Sequence, residues 1–433
     1  MTRKRTGGGP RPSARLGGTK RRAASRRPTR PEEPPSPAAV EALGPYARAR
    51  VAVRALGLSL SLDVPYDAFA SKAIDEGTLL LLRHLPERAP RSVLDLGCGY
   101  GALGLPVAAR FPQARALLVD RDLLAARASA HNASTLRLSN VDARPGLGYR
   151  DLPEGAAPFD WVLCNVPARI GPRAIGHLLE AGRSLLAPGG ELRIVVIGDL
   201  CPTVEAEARG RELAGLVRAA QGPRHAVYAL PPGPSRERLD DLSVYVRDET
   251  RFAVFGREVR LSRPHDASED PEHAAALSVL LDALPRKQPS RVLSYRCGYG
   301  AVPLAARLRY PGAQVIATDR DLLDVAFTSM NAQAHGLSGP SLRVLPAVFP
   351  SEVAPSGSVD LVLGESWAPA GKPVFLRELR EARERLSPGG EALLLASEKQ
   401  VREWLPEGEA AVLLRRGPTC LLRIARSRVH RPP

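Results

Sequence analysis

The stretch that decides the fold is Val93-Leu94-Asp95-Leu96-Gly97-Cys98-Gly99-Tyr100-Gly101, in which an apolar run leads into three alternate glycines. The run Ser92–Leu96 predicts a short buried strand, and Ala102–Arg110 after the glycines predicts a helix. Glycines at such a turn permit positive φ and let a ligand approach the backbone closely. The beginning of the helix offers free amide groups. The stretch therefore predicts a strand–loop–helix unit whose loop can hold a ligand.

Two acidic side chains, Asp95 and Asp120, are predicted to lie near the glycine loop. Asp120 closes the next predicted strand, Arg115–Asp120, where a carboxylate suits the two hydroxyls of a ribose. Asp95 lies two residues before the first glycine. If the ligand is S-adenosyl-L-methionine, this carboxylate could reach the ammonium group of its methionine part directly or through water. Residues 99–104 also spell the dinucleotide fingerprint GxGxxG, which alone is a weak signal. The earlier glycine frame and Asp95 favour S-adenosyl-L-methionine over a nicotinamide dinucleotide.

Further strands and helices alternate through the first half. The segments are helix Leu123–Asn132, strand Phe159–Cys164, helix Ile175–Leu186 and strand Glu191–Ile197. Continuous apolar strands alternating with helices indicate a parallel sheet covered on both faces. Such doubly wound folds bind ligands at the carboxyl ends of their strands, which is where the glycines and Asp120 fall.

The same pattern occurs twice in the chain. Cys-Gly-Tyr-Gly-Ala stands at 98–102 and 297–301, and Asp-Arg-Asp-Leu-Leu at 120–124 and 319–323, both offset by 199 residues. A register held over such a distance indicates duplication. The sequence therefore predicts two tandem doubly wound Rossmann-like domains, residues 45–232 and 241–433, joined at the proline-rich stretch 231–235.

A family resemblance rests on these motifs. Residues 93–105, VLDLGCGYGALGL, together with Asp120 and Asn165, resemble class I S-adenosylmethionine-dependent methyltransferases. The segments 69–78 and 188–195 narrow the resemblance to the tandem-domain small-subunit ribosomal RNA guanine-N2 methyltransferases and their large-subunit relatives. It implies that S-adenosyl-L-methionine is the cofactor and that ribosomal RNA is the partner. The implied cofactor-binding residues are Asp95, Gly97, Gly99, Gly101 and Asp120. The segment 69–78 is expected to cover the cofactor, although it equally fits the ordinary start of a helix.

The residues expected to carry the chemistry are Asn165, Val166 and Pro167. The family has Asn-Pro-Pro-aromatic after the fourth strand, whereas this chain has Asn165-Val166-Pro167-Ala168. The Asn oxygen and the next backbone carbonyl would accept both N–H bonds of an exocyclic base amine and align its nitrogen, so that the rate comes from orientation. The alternative for Asn165 is a strand-end turn that caps the next helix. The missing ring would have contributed about 1–3 kcal/mol of base stacking, which another ring or Arg169 could partly restore.

The second half departs from the pattern at the positions that matter for cofactor binding. Asp95 becomes Ser294, Gly97 becomes Arg296 and Asn165 becomes Glu365. The side chain of Arg296 is expected to intrude where the cofactor must approach the backbone. We therefore expect the second domain to be a degenerate copy that retains the fold.

Charge is concentrated at the amino terminus. Residues 1–30 contain two lysines and nine arginines with no acidic residue, so +11 of the net +15 lies there. The segment is poor in large apolar side chains, and residues 1–44 are predicted to be a disordered basic tail. It could be an arm for nucleic-acid phosphates or a solvated extension.

Composition excludes several classes of protein. No apolar run is long enough to cross a membrane, and five cysteines without a CxxC pair support neither a disulfide framework nor a zinc site. A reduced cytoplasm is the expected compartment. A methyltransferase acting on a protein or small molecule, and a non-catalytic RNA-binding pseudoenzyme, remain alternatives. The oligomeric state is not determined by the sequence, and a monomer is compatible with it.

Overall fold

The computed structural model describes residues 33–426, apart from 69, 71, 268–270 and 367–370. Residues 1–32, which hold the predicted basic arm, lie outside the described residues. The described residues from Glu33 onward form one compact unit. No helix in this part of the chain is long and apolar enough to span a lipid bilayer.

A helix and a hairpin precede the central sheet of the first domain. In chain order these elements are α1 (Pro37–Leu43), a 3-10 turn (Gly44–Tyr46), β1 (Ala47–Ala55) and β2 (Leu58–Pro65). Ser36 caps α1, since its hydroxyl oxygen accepts from Ala39 N at 3.0 Å. Its own N–H and O–H donate to Asp63 of β2 at 2.8 and 2.6 Å.

The prediction of disorder to residue 44 is therefore wrong for residues 33–44. Ala39 and Leu43 are buried, and they belong to one apolar cluster with Val53 and Leu62 of the hairpin. Although this stretch is rich in Pro and Glu, it contains a short capped helix whose apolar side chains pack on the hairpin.

The first domain is built on one seven-stranded sheet. Its strands are β3 (Ser92–Leu96), β4 (Arg115–Asp120), β5 (Val141–Pro145), β6 (Phe159–Asn165), β7 (Leu186–Ile197), β8 (Val217–Gln221) and β9 (His225–Leu230). The order is β5-β4-β3-β6-β7-β9-β8. The first five strands are parallel, as predicted, and β8 and β9 add an antiparallel edge that the sequence pattern did not predict.

Helices cover both faces of this sheet. They are α2 (Glu76–Arg83), α3 (Gly104–Arg110), α4 (Leu123–Thr135), α5 (Pro172–Ser184) and α6 (Cys201–Gly210). The central strands are continuous apolar runs because both of their faces are buried. Leu94, Leu118 and Leu163 accordingly have no exposed surface.

The second half repeats this architecture. After a 3-10 turn (Leu242–Tyr245) come β10 (Val246–Val254), β11 (Arg257–Pro264), α7 (Pro271–Asp282), β12 (Arg291–Tyr295), α8 (Ala301–Arg309), β13 (Gln314–Asp319), α9 (Leu322–Ala334), β14 (Leu342–Pro346), β15 (Val359–Ser366), α10 (Gly371–Arg385), β16 (Leu386–Ser397), α11 (Glu398–Trp404), β17 (Ala411–Arg416) and β18 (Thr419–Ala425). The sheet order β14-β13-β12-β15-β16-β18-β17 matches that of the first domain. The predicted pair of tandem doubly wound Rossmann-like domains is confirmed.

An Asn-Ala dipeptide that stands at 132–133 and again at 331–332 ties each hairpin to its glycine loop. The amide nitrogen of Asn132 donates to the carbonyls of Asp63 and Tyr100, both at 2.9 Å, and its oxygen accepts from Asp63 N. Asn331 makes the equivalent bonds to Ser262 and Tyr299. These buried amides fix the loop against the hairpin in both domains.

The two domains meet through a nearly two-fold symmetric contact. Leu123 N donates to Arg320 O at 3.0 Å, and Leu322 N donates to Arg121 O at 2.9 Å. Two ion pairs are reciprocal in the same way: Arg121 pairs with Asp321 at 3.3 Å, and Arg320 pairs with Asp122 at 3.2 Å. The corner after β4 therefore packs on the corner after β13, and equivalent residues meet as in an isologous dimer.

Candidate active site

A cavity of about 820 Å³ opens at the carboxyl ends of β3, β4 and β6 in the first domain. Six of the eight predicted site residues line it: Gly97, Gly99, Asp120, Asn165, Val166 and Pro167. Asp95 and Gly101 do not. The topology thus gathers the predicted residues at one edge of the sheet, as expected for this fold.

The three glycines of the loop differ in what they do. Gly97 has φ +75° and Gly99 has φ +57°, and a Cβ atom at either would meet nothing within 4 Å. Backbone at these two positions is therefore open to a ligand. At Gly101, with φ +92°, a Cβ atom would collide with the side chain of Leu105. Gly101 lets the loop pack on α3 and does not reach the cavity.

Asp95 lies beneath the loop. It is 1% exposed, its Oδ2 accepts from Gly104 N at 2.8 Å, and its Oδ1 has no partner among the described residues. Burial, opposed in part by the Gly104 bond, raises the pKa of this carboxyl to about 7. Its position supports the first turn of α3, and Asp95 does not line the cavity. The contact with a methionine ammonium, direct or through water, stays a prediction.

Asp120 stands at the mouth of the cavity. Its Oδ2 accepts from Gly99 N and its Oδ1 from Asp122 N, both at 2.8 Å. Burial raises the pKa of Asp120 to about 6, so the carboxylate is ionised at neutral pH. Each oxygen of an ionised carboxylate keeps a second lone pair. Asp120 can therefore accept two ribose hydroxyls while it holds the glycine loop.

Asn165 is held by its amide nitrogen. Nδ2 donates to Oδ2 of Asp75 at 2.9 Å and to Oγ1 of Thr78 at 3.0 Å. Because an ionised carboxylate only accepts hydrogen bonds, the NH₂ group must face Asp75. The side-chain oxygen makes no bond within the described part of the chain, and Asn165 lines the cavity. A hydrogen-bond acceptor is thereby oriented before any substrate arrives.

Asp75 and Thr78 are functional residues that sequence reasoning missed. Both line the cavity, within the segment that was expected to cover a cofactor. Asp75 also caps α2 by accepting from Thr78 N at 3.2 Å. The Asp-x-x-Thr spacing before an apolar run signals a helix start. It gives no sign that the same carboxylate reaches a residue 90 positions later.

Val166 and Pro167 continue the strand toward the cavity. Val166 N donates to Val195 O at 2.9 Å, which keeps the backbone in register with β7, and its side chain is buried. Pro167 O accepts from Ile170 N at 3.3 Å and closes a turn. Ala168 after them is exposed and offers no ring.

The rings that line the cavity come from elsewhere in the chain. Tyr100 and Tyr149 are 2% exposed and donate to the carbonyls of Ala70 and Leu178. Tyr245 is contributed by the 3-10 turn that opens the second half. Arg169, the other predicted substitute for the missing aromatic, also lines the cavity. Asp142 of β5 pairs with Arg144 at an exposed site and does not line the cavity.

The equivalent site in the second domain is filled. Arg296 has φ +54°, and its guanidinium donates to Glu378 at 2.7 Å and to Oη of Tyr46 at 3.2 Å. Tyr295 also donates to Glu378, at 3.0 Å. The cavity beside this loop is only about 30 Å³. Arg296 does intrude as expected, and it replaces the ligand space with a buried ion pair.

The described residues hold no cluster of three or more His, Cys, Asp or Glu that could bind a metal. All five cysteines are free and buried. Glycine loop, strand-end carboxylate and oriented Asn together fit S-adenosyl-L-methionine beside an acceptor amine. This combination of fold and site defines a class I methyltransferase.

Comparison with known proteins identifies the family. The model of the methyltransferase small domain matches residues 61–203 and again 272–407. The chain therefore belongs to the methyltransferase small domain family, as a tandem pair, and S-adenosyl-L-methionine is its cofactor.

Several known proteins resemble parts or all of the chain. Ribosomal RNA large subunit methyltransferase G of Cronobacter sakazakii is 34% identical over 133 residues, which is 29% of this chain and 35% of that protein. Ribosomal RNA small subunit methyltransferase C of Pseudomonas fluorescens is 36% identical over 133 residues, covering 29% of this chain and 38% of that protein. The matches thus span little more than a third of these relatives.

A solved structure resembles almost the whole molecule. The 16S rRNA N2 G1207 methyltransferase of T. thermophilus, determined with AdoMet and guanosine, covers 88% of this chain and 99% of that one. The TM-score is 0.64 and the identity is 21%. The similarity extends over both domains and shows that the tandem fold is shared.

Proposed function

We propose that the protein transfers a methyl group to an exocyclic base amine of ribosomal RNA, namely N2 of a guanine. The observation that carries the proposal is the oriented amide of Asn165, whose nitrogen is bound by Asp75 and Thr78 and whose oxygen is left for a substrate. An amine that donates to this oxygen is positioned beside the open backbone at Gly97 and Gly99. The names of the relatives, all ribosomal RNA methyltransferases, support RNA as the substrate class.

The residues act by binding and orientation. The bound cofactor supplies an electrophilic methyl group. Gly97 and Gly99 let it approach the backbone, and Asp120 holds its ribose hydroxyls. Asn165 accepts one amine N–H and the Val166 carbonyl is proposed to accept the other, which directs the nitrogen lone pair toward the methyl group. Orientation of this kind accounts for large rate factors without a covalent intermediate.

The test is transfer of labelled methyl groups to fractionated RNA and protein from a strain lacking the gene, followed by identification of the labelled nucleoside. Asn165→Ala should slow single-turnover transfer about 100-fold, because a mispositioned group costs rates of that order, and leave the affinity for S-adenosylhomocysteine within about twofold. Asn140→Ala is a matched control, since Asn140 bonds three carbonyls at the opposite edge of the sheet. Undiminished transfer by Asn165→Ala, or a label on a nucleoside other than N2-methylguanosine, would contradict the proposal.

A second candidate is a methyltransferase with a protein or small-molecule acceptor. The exposed Ala168 favours it, because such an acceptor does not need the stacking ring. Label that appears in the protein or small-molecule fraction, and not in RNA, would establish this alternative.

A further inference from the structure

The second domain contributes a wall of the first domain's cavity. Tyr245 and Asp266 line it although both lie beyond the predicted boundary of the first domain. Tyr245 is anchored on the second hairpin, because its carbonyl accepts from His265 N at 3.2 Å. Its ring packs in an apolar cluster with Leu147 of the first domain and Phe327 of α9. The side chain therefore sits in a fixed position between the two domains.

The hydroxyl of Tyr245 lies at the loop after β5. A Cβ atom at Gly148 would stand 2.7 Å from Oη of Tyr245, so the ring reaches this loop only because residue 148 has no side chain. Within the described residues the hydroxyl makes no hydrogen bond. Burial raises the pKa of Tyr245 to about 12, so the phenol stays protonated and can donate or accept.

The other copy of the site supplies an internal comparison. Tyr46 is the counterpart of Tyr245, 199 positions earlier, and Arg296 is the counterpart of Gly97. The Tyr46 hydroxyl accepts from the Arg296 guanidinium at 3.2 Å inside the filled second site. Each tyrosine thus reaches into the site of the opposite domain. In the first domain Gly97 stands at the position of Arg296, and Tyr245 lines a cavity of about 820 Å³.

The position of the loop relates Tyr245 to the cofactor. Gly146 N donates to Asp120 O at 2.8 Å, so residues 146–148 directly adjoin the carboxylate that suits the ribose. A nucleoside with its ribose at Asp120, and with the rest of the cofactor along Gly97 and Gly99, has its base on the side of this loop. Leu147 and Gly148 offer no acceptor side chain for an exocyclic amine.

We propose that Oη of Tyr245 accepts a hydrogen bond from the 6-amino group of the cofactor's adenine, so that the degenerate domain supplies a cofactor-binding residue to the working one. The inference rests on the proposed function only in that S-adenosyl-L-methionine occupies this cavity. It assigns the second domain a direct part in binding, beyond support of the fold.

The experiment is calorimetric titration of the full chain with S-adenosylhomocysteine and with its desamino analogue, in which purine replaces adenine. Tyr245→Phe removes one oxygen and should weaken S-adenosylhomocysteine binding about three- to tenfold, the usual effect of one hydrogen bond. The wild-type protein should lose a similar factor with the desamino analogue, and Tyr245→Phe should show no further loss with it. Tyr46→Phe, the same change at the filled site, should leave both affinities within twofold.

Equal affinity of Tyr245→Phe and wild type for S-adenosylhomocysteine would overturn the inference, as would the same loss with both ligands. Those outcomes leave the proposed function intact, because the wild-type protein still binds the cofactor product. A wild-type protein that binds neither ligand would instead remove the proposed function together with the inference.

Discussion

The site can be tested directly by placing at residue 97 the arginine that fills the equivalent site of the second domain. The substitution is Gly97→Arg, which copies the residue found at the equivalent position, Arg296. Arg296 adopts φ +54° in an otherwise similar loop, so the loop can fold around an arginine. The cavity beside Arg296 is about 30 Å³, compared with about 820 Å³ beside Gly97. We therefore expect Gly97→Arg to fold and to lose cofactor binding.

A control substitution at Gly155 should cost about the same free energy of folding as Gly97→Arg. Gly97 and Gly155 have φ +75° and +71°, and a Cβ atom at either meets nothing within 4 Å. Left-handed backbone costs a non-glycine residue about 1–2 kcal/mol, so both Gly97→Arg and Gly155→Arg should lower the melting temperature by a few degrees. Gly155 does not line the cavity, and Gly155→Arg should bind the cofactor normally.

The assay is titration calorimetry with S-adenosylhomocysteine, supported by thermal unfolding of all three proteins. The wild type and Gly155→Arg should bind one ligand per chain, because the second site is filled. Gly97→Arg should bind at least 100-fold more weakly. Retention of wild-type affinity by Gly97→Arg would refute the placement of the cofactor at this loop, and equal loss by Gly155→Arg would refute the steric reasoning.

Three further substitutions test separate parts of the reasoning. Ala168→Phe should lower KM for the RNA substrate about 5- to 150-fold if a base stacks there, since stacking contributes about 1–3 kcal/mol; an unchanged KM in steady-state transfer would show that no base lies against residue 168. Arg296→Gly should destabilise the protein by about 1–4 kcal/mol in urea unfolding, because removing one partner of a buried ion pair costs about 3–5 kcal/mol and relief of the left-handed backbone returns about 1–2 kcal/mol; added Glu378→Gln should restore part of this, and no effect of either change would contradict the buried ion pair. Folding raises the pKa of Asp95 to about 7 from an ordinary value near 4, so the folded state binds the extra proton and loses stability as pH rises through this interval. Asp95→Asn keeps an acceptor for Gly104 N and should raise the urea midpoint clearly at pH 8 and much less at pH 5, whereas an equal shift at both would contradict the burial of a charge.

The parallel part of the fold was readable from the sequence because its signals are local. Apolar runs such as Ser92–Leu96 and the repeat at an offset of 199 residues require no knowledge of distant partners. The antiparallel edge was not predicted. β8 is largely exposed and carries no apolar alternation, so its pairing with β9 depends on tertiary contacts. The helix Pro37–Leu43 was missed because its composition outweighed the capping signal of Ser36.

The site could be predicted from the sequence where a single residue, either a glycine or a carboxylate at a strand end, determines that part of the cavity. Gly97, Gly99 and Asp120 line the cavity because their positions follow from strand ends. Asp95 lies outside the cavity lining, because a strand pattern does not decide whether a carboxylate faces a ligand or the helix beside it. Asp75 contacts Asn165, which is 90 residues away in sequence, and Tyr245 contacts Gly148, which is about 100 residues away. Local sequence patterns do not predict such contacts between distant elements.

The symmetric contact gives the second domain a structural role although its own site is filled. The corners after β4 and β13 exchange backbone hydrogen bonds. Leu123 N donates to Arg320 O, and Leu322 N donates to Arg121 O. Removing either domain would leave half of these backbone groups and the ion pairs of Arg121 and Arg320 without partners, at a cost of about 1–3 kcal/mol for each group that stays buried. The glycine loop differs between the two copies, with Arg296 in place of Gly97, while the corner that meets the other copy is Asp-Arg-Asp-Leu-Leu in both. Tyr245 takes part in both features, since it packs between the domains and also lines the cavity of the first domain.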